Sequence, residues 1–318
     1  MGRMVDGAWH ADDTSLPTRG GTFERAESRF RDRIEPGGRF PPEAGRYHLY
    51  VSLACPWAHR TLIFRVLKGL EGMVGISVTH WLMGEQGWNF APGEGVVPDS
   101  VNRTSILHEL YAKADPRFTG RVTVPVLWDR ATGSIVNNES AEIIRIFNSA
   151  FDALGAAPGD WYPAALRPAI DAVNDRVYAT LNNGVYRAGF ARTQEAYDEA
   201  IAPLFETLDW LEALLTRQPF LAGDRATEAD WRLFTTLIRF DVVYHGHFKC
   251  NRRRITDYPA LWDHTRSLYQ VPGVAGTVDF GHITRHYYQS HPWVNPSRIV
   301  PIGPALDLGQ PGTRVPRA

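Results

Sequence analysis

Apolar and polar positions follow two rhythms along this chain. Between about residues 46 and 150, short apolar runs are separated by turn-forming residues; after about Trp161 the apolar spacing is helical throughout. YHLYVSLA (47–54) reads as a buried strand. The stretch after it, with Leu62, Ile63, Val66, Leu67 and Leu70 on one face, predicts a helix from Pro56 to about Leu70. GISVTHWL (75–82) predicts a second strand and residues 102–114 a short helix. VTVPVLWD (122–129), the turn at Thr132-Gly133 and SIVN (134–137) predict a hairpin, and ESAEIIRIFN (139–148) a further helix. The order β-α-β-α-β-β-α is a thioredoxin-like succession. Pro125 inside an apolar run ordinarily demotes a strand. In that fold, however, a cis proline commonly starts the third strand and faces the active-site cysteine, which removes the objection.

The second rhythm predicts helices near 163–182, 193–217, 228–244, 259–270 and 282–289. Thr227 and Asp230 before an apolar run have the spacing of a capping box. The expected organisation is an arm (1–45), a thioredoxin-like domain (46–150) and an all-helical domain (160–318) with a Pro/Gly-rich tail after Ser290. The arm, rich in Gly, Pro and charge, is expected to wrap the surface without forming a core. The Gly- and Pro-rich stretch from Met83 to Val101 is a long loop, of the kind that in compact domains is usually functional or disordered.

Composition narrows the class. With 44% hydrophobic and 22% charged residues and a net charge of −1, the chain can bury large cores and offers no surface suited to nucleic acid or anionic lipid. No apolar run is long enough to span a bilayer, and the polar start MGRMVDGAWHADD is unlike a secretory leader. Cys55 and Cys250 are too few for a disulfide framework or a four-ligand zinc site, so they are expected to be reduced thiols in a cytoplasm. Only Lys68, Lys113 and Lys249 among 34 basic residues are lysine, an arginine bias attributed to a GC-rich genome.

Cys55 is the leading candidate for chemistry. It stands where a strand passes into a helix, so helix-start N–H groups and the positive dipole end favour the thiolate, the form that attacks sulfur. Ala58 occupies the place a second cysteine would take in a dithiol pair, so a second thiol must come from solution. His59, one helical turn on, is expected to be structural. Asn137-Asn138-Glu139-Ser140 precedes an amphipathic helix: its N-terminus and Ser140 suit a carboxylate, and Glu139 an ammonium. The backbone of Val124, beside Pro125, suits strand-like pairing with a peptide-like ligand. Trp88 in the long loop reads as an exposed ligand-binding aromatic or a loop anchor. Tyr186, and Tyr287 or Tyr288, are phenol donors within the helical part. His282, His286 and His291 lack a partner at ligand spacing, so no metal is expected. Cys250 reads as structural.

Taken together, Ser52–Arg60 (SLACPWAHR), Gly87–Phe90, Val122–Trp128, Ile135–Ser140, Arg239–Tyr244, His247–Asn251 and His286–His291 resemble the glutathionyl-hydroquinone reductases, or Xi-class, omega-like glutathione transferases. The likeness runs from about Trp9 to Pro304. It implies the glutathione-transferase fold, an α/β thioredoxin-like N-terminal domain plus an all-α C-terminal domain, in a homodimer. It also implies glutathione as co-substrate, held by Trp88, Val124, Pro125, Glu139 and Ser140. Cys55 would attack the sulfur of a glutathionyl-hydroquinone, with Tyr186 and Tyr287 (or Tyr288) lining the aromatic pocket and protonating the departing ring. One alternative keeps Cys55 in an omega-like thioltransferase or dehydroascorbate reductase, using glutathione or another thiol such as mycothiol. A second makes the chain a non-catalytic binding module.

Overall fold

The computed structural model describes residues 2–12 and 18–317. Two short hairpins come first, β1 (Arg3–Val5) with β2 (Ala8–His10) and β3 (Thr18–Arg19) with β4 (Thr22–Phe23). Next are β5 (Tyr47–Val51), α1 (Pro56–Leu67), β6 (Val74–Val78), α2 (His108–Ala114), β7 (Val126–Asp129), β8 (Ser134–Asn137) and α3 (Ser140–Ser149). The remainder is helical: α4 (Arg167–Val177), α5 (Gly184–Gly189), α6 (Gln194–Leu215), α7 (Glu228–Arg239), α8 (Pro259–Tyr269) and α9 (Phe280–Ser290). The chain divides into two compact units. One is built on Ala26–Pro158 and Thr277–His286 with the N-terminal hairpin; the other is built on Gly159–Gly276 and the chain from Tyr287, with the β3–β4 hairpin.

The first unit is a four-stranded mixed sheet in the order β6-β5-β7-β8, with β5 parallel to β6 and the other neighbours antiparallel. All five residues of β5 are buried, as its unbroken apolar run requires of a central strand. Helices α1 and α3 pack together beside the sheet. Helix α1 ends three residues short of expectation because Gly69 takes a left-handed φ of +60°. Its N–H and that of Leu70 cap the Val66 and Arg65 carbonyls, a C-terminal lock that only glycine closes without strain. The long loop after β6 is organised by buried Asp99. Its Oδ1 accepts from Tyr50 Oη (2.8 Å) and the N–H groups of Val101 (2.9 Å) and Asn102 (3.0 Å). Its Oδ2 accepts from Thr104 N (3.1 Å) and Oγ1 (2.8 Å).

Within the arm, Met4, Phe23, Ile34 and Phe40 are buried one at a time, and the Met4 backbone pairs with Gly120. Apolar residues spaced this singly leave no period to read. Residues 13–17 of the expected arm lie outside the described residues.

In the helical unit two predicted helices are shorter than their apolar pattern. The stretches 163–182 and 228–244 leave α-helical geometry at Tyr178–Asn182 and Phe240–Tyr244, which form π turns closed by Asn183 N to Tyr178 O (3.0 Å) and His245 N to Phe240 O (2.8 Å). Such turns insert one residue without breaking the apolar face, and they gather at functional sites. The capping box is present, with Thr227 N (2.8 Å) and Oγ1 (3.0 Å) donating to Asp230 Oδ2. The other carboxylate oxygen of Asp230 meets buried His264 Nε2 at 2.9 Å. Arg314 ties down the tail by donating to the carbonyls of Leu215, Gln218, Pro219 and Ala260.

Candidate functional site: a thiol at the rim of the sheet

Strand directions bring four sequence-predicted segments of the first unit to one rim. The C-terminal ends of β5 and β6, the start of β7 and the end of β8 share an edge, because β7 runs against β5 and β8 against β7. Cys55 follows β5, Trp88 lies in the loop after β6, Val124-Pro125 precedes β7, and Glu139-Ser140 follows β8. Beyond the carboxyl ends of parallel strands is the usual place for a ligand in open α/β sheets.

Cys55 is the N-cap of α1, in extended conformation, and Pro56 occupies the first helical position, where a missing N–H costs nothing. The sulfur is half-buried rather than sealed in the core, and its Sγ lies 3.6 Å from the Val124 carbonyl. The Val124-Pro125 peptide is cis. His59 is wholly buried and hydrogen-bonded through Nε2 to Thr277 Oγ1 at 2.8 Å, the structural role expected of it.

Glu139 is the N-cap of α3. Its Oε1 accepts from Ala141 N at 3.1 Å, and its own N–H donates to Asn137 Oδ1 at 2.7 Å. Its Oε2 accepts from Ser28 Oγ at 3.1 Å. Ser28 has no signal in the sequence, since it meets Glu139 from 111 residues away and belongs to no periodic segment. Ser140 is buried directly after the cap. Behind this pair, Glu142 stays ionised below the usual carboxylate range: burial opposes this, but hydrogen bonds from Arg31 and Asn137 outweigh it. The α3 start therefore offers fixed carboxylate, hydroxyl and backbone N–H groups to a zwitterionic amino-acid end.

Of the two readings the sequence leaves for Trp88, an exposed aromatic and a loop anchor, its packing is that of an anchor. Trp88 is only 7% exposed and stacks on His286, with ring centroids 4.9 Å apart and planes 19° off parallel. His286 Nδ1 is held by the Trp81 carbonyl at 2.8 Å. A partner 198 positions later gives a local pattern no means of revealing this packing.

In the helical unit, Tyr186 and Tyr287 meet hydroxyl to hydroxyl at 2.5 Å. Tyr288 instead lies against His247, with ring centroids 4.7 Å apart, so of the two neighbouring tyrosines it is Tyr287 that joins Tyr186. Arg25 stands over the Tyr186 ring, 4.9 Å from its centroid, and donates through Nε to Asn183 Oδ1 at 2.9 Å. A third phenol, Tyr244, contacts Tyr287 at 3.1 Å. The Tyr244 and Tyr287 pKa values are raised well above 10, first by burial and then by repulsion from the neighbouring Tyr186, so both remain protonated donors at neutral pH.

The three histidines considered for a metal are engaged separately: His282 with the Glu94 carbonyl, His286 with Trp81 and His291 with His247. Among the described residues no three His, Cys, Asp or Glu side chains are grouped to hold a metal ion. Cys250 is fully buried, and burial raises its thiol pKa far above the usual value. A cleft of about 540 Å³ lined by Leu215, Arg217, Phe220 and Arg314 contains none of the residues predicted for chemistry.

A thioredoxin-like unit with a thiol at its rim and a mainly helical unit define the class, a glutathione S-transferase. The model of the glutathione S-transferase N-terminal domain matches residues 54–150, and that of the C-terminal domain residues 194–267. The chain belongs to the Xi-class, glutathionyl-hydroquinone reductase group of that family. It is 58% identical over 308 residues to glutathionyl-hydroquinone reductase PcpF of Sphingobium chlorophenolicum, covering 97% of this chain and 98% of the relative. It is 53% identical to glutathionyl-hydroquinone reductase YqjG of Escherichia coli, over 99% of this chain and 98% of that one. The solved glutathione-bound structure of YqjG superposes with a TM-score of 0.91 at 51% identity, covering 98% of this chain and 99% of that one. A Xi-class transferase from Natrialba magadii gives 0.92 at 51% identity, covering 99% and 96%.

Proposed function

We propose that this chain is a glutathione-dependent reductase that cleaves glutathionyl-hydroquinones. The observation that carries the reading is the half-buried Cys55 sulfur at the mouth of α1. It stands in a chain that is similar, over nearly its whole length, to proteins named for this activity. In the first step the Cys55 thiolate attacks the glutathionyl sulfur and the carbon–sulfur bond breaks. An aryl carbanion is too basic to leave, so the ring carbon must take up a proton as the bond is lost. Tyr186 and Tyr287 supply it. Sulfur is oxidised to the Cys55–glutathione disulfide, and the ring is reduced from C–S to C–H. Ala58 is no thiol and Cys250 is buried, so a second glutathione attacks the disulfide, releasing glutathione disulfide and the Cys55 thiolate.

Glu139 and Ser140 bind the γ-glutamyl amino-acid end of glutathione, the Val124 backbone pairs with its peptide, and Trp88 and Pro125 flank it. The donors and acceptors fixed at the α3 start fit a zwitterion. The reading extends to a homodimer, as the family resemblance implies, and to the cytoplasm, where reduced thiols such as Cys55 and Cys250 are expected. No helix among the described residues is long and apolar enough to cross a membrane.

An omega-like thioltransferase remains a second reading, because the chain is also 49% identical to a Schizosaccharomyces pombe protein named glutathione S-transferase omega-like 2. Turnover of a glutathionyl-hydroquinone separates the two. Wild type should reduce it and accumulate a glutathione adduct on Cys55 visible by mass spectrometry, while Cys55→Ala should have no activity. Near-wild-type turnover by Cys55→Ala would overturn the mechanism.

A further inference from the structure

The β1–β2 hairpin bridges the two segments of the first unit that carry Trp88 and Val124. Val5-Asp6-Gly7-Ala8 forms its two-residue turn, with Asp6 and Gly7 both at positive φ (+46° and +79°), the geometry that Asp-Gly favours between antiparallel strands. Two strands of three residues are not stable alone, so the hairpin depends on what it docks against. Strand β1 joins the chain that runs into Val124-Pro125. Met4 N donates to Gly120 O at 2.9 Å and Gly120 N to Met4 O at 3.0 Å, while Gly7 N donates to Phe118 O at 3.0 Å. Asp6 N donates to Thr119 Oγ1 at 2.8 Å, and Arg121 Nη1 to Gly2 O at 2.9 Å. Strand β2 supplies Trp9, opposite Met4 in register. Its Nε1 donates to Glu85 O at 3.0 Å, and its ring stacks on His108, with centroids 4.7 Å apart and planes 9° off parallel. His108 Nε2 in turn meets Gln86 Oε1 at 3.0 Å. A methyl group on Gly87, the residue before Trp88, would lie only 3.1 Å from the Trp9 ring. Glu85 and Gln86 are exposed between Gly84 and Gly87, so this turn has little packing of its own and Trp9 grips it from outside.

We infer that this hairpin is a clamp on the glutathione site and that Trp9 is a positioning residue, which holds the Trp88 turn in place relative to Val124 before the tripeptide arrives. The inference rests on the proposed glutathione site and adds to it a residue that acts through Trp88. A turn that is already fixed loses less freedom when a ligand binds, so Trp9 contributes to affinity. Tryptophan suits the position because one side chain supplies both the N–H for the Glu85 carbonyl and a broad face for His108. The sulfur chemistry is held by a different element, the start of α1 at Cys55, so the chemical step at saturating ligand does not depend on Trp9.

The test compares full-length wild type, Trp9→Ala and Trp9→Phe. Trp9→Ala removes the hydrogen bond and the stack together, so glutathione titrated by calorimetry should bind about tenfold more weakly. In turnover of a glutathionyl-hydroquinone, KM should rise by a similar factor while kcat stays within about twofold of wild type. Trp9→Phe keeps a ring on His108 and should recover affinity to within about threefold of wild type. Amide hydrogen exchange in Trp9→Ala should quicken at residues 84–90 and remain as in wild type along α3. Affinity in Trp9→Ala within about twofold of wild type overturns the clamp and leaves the glutathione site standing. So does a loss that falls on kcat rather than KM, or faster exchange throughout the first unit, which would make Trp9 a residue of the fold alone. A wild type with no affinity for glutathione overturns the site, and the clamp with it.

Discussion

Asp99 provides a quantitative test of how the rim is held together. Its carboxylate gathers five hydrogen bonds and so fixes the loop that carries Trp88. Asp99→Asn keeps the shape but replaces one oxygen with an NH₂ group. The three donors at Oδ1 keep an acceptor, now uncharged, while the Thr104 N–H faces a donor and its hydroxyl must turn. Stranding one partly buried N–H costs about 1–2 kcal/mol, and losing the charge from the other bonds adds about 1 kcal/mol. The variant should therefore be destabilised by about 2–3 kcal/mol at pH 7, read from the first transition in a urea titration followed by near-ultraviolet circular dichroism. The pH dependence has a definite sign. Burial pushes the Asp99 pKa up, but the bonds from Asn102, Tyr50 and Thr104 outweigh it and hold the folded value below the ordinary one. A depressed folded pKa stabilises fully above the unfolded value of about 3.9 and is lost as pH falls through the folded value. The gap between wild type and variant should be constant from pH 5 to 8 and shrink below about pH 4. A gap under about 0.5 kcal/mol at pH 7, or one that widens toward pH 3, would refute the assignment.

Two further outcomes follow from the site. Glu139→Gln retains the cap on Ala141 but loses the charge offered to an ammonium, so glutathione affinity measured by calorimetry should fall about tenfold while kcat at saturating thiol changes little. Iodoacetamide at neutral pH should modify one thiol per chain, mapped to Cys55 by peptide mass, and reach Cys250 only in denaturant; rapid labelling of native Cys250 would contradict its burial.

What the sequence made legible was what short-range patterns encode. The Cys55-Pro56 helix start, the apolar run of β5, the Thr227–Asp230 cap and the helix after Glu139 are each announced within a few residues. Pro125 was readable as cis because its defect in a strand had a known remedy in the inferred fold. Ser28 beneath Glu139 and His286 behind Trp88 were not readable, because each touches its partner across more than a hundred residues. Tyr244 was hidden differently. It lay within a stretch of correct helical period, and its hydroxyl meets that of Tyr287, 43 residues away, a contact no local pattern announces. Helix α5 was missed because Asn182-Asn183-Gly184 reads as a turn.

The two π turns bear on how such a chain can diverge. Each holds everything downstream on its helix one residue out of phase with a plain α-helix, and one residue corresponds to about 100° of rotation. Removing a single amino acid from 178–182 would heal the helix, a change that looks harmless in an alignment, yet swing Tyr186 away from Tyr287. Gain and loss of residues should therefore be tolerated in the loops at the sheet rim sooner than in these two unremarkable stretches of helix.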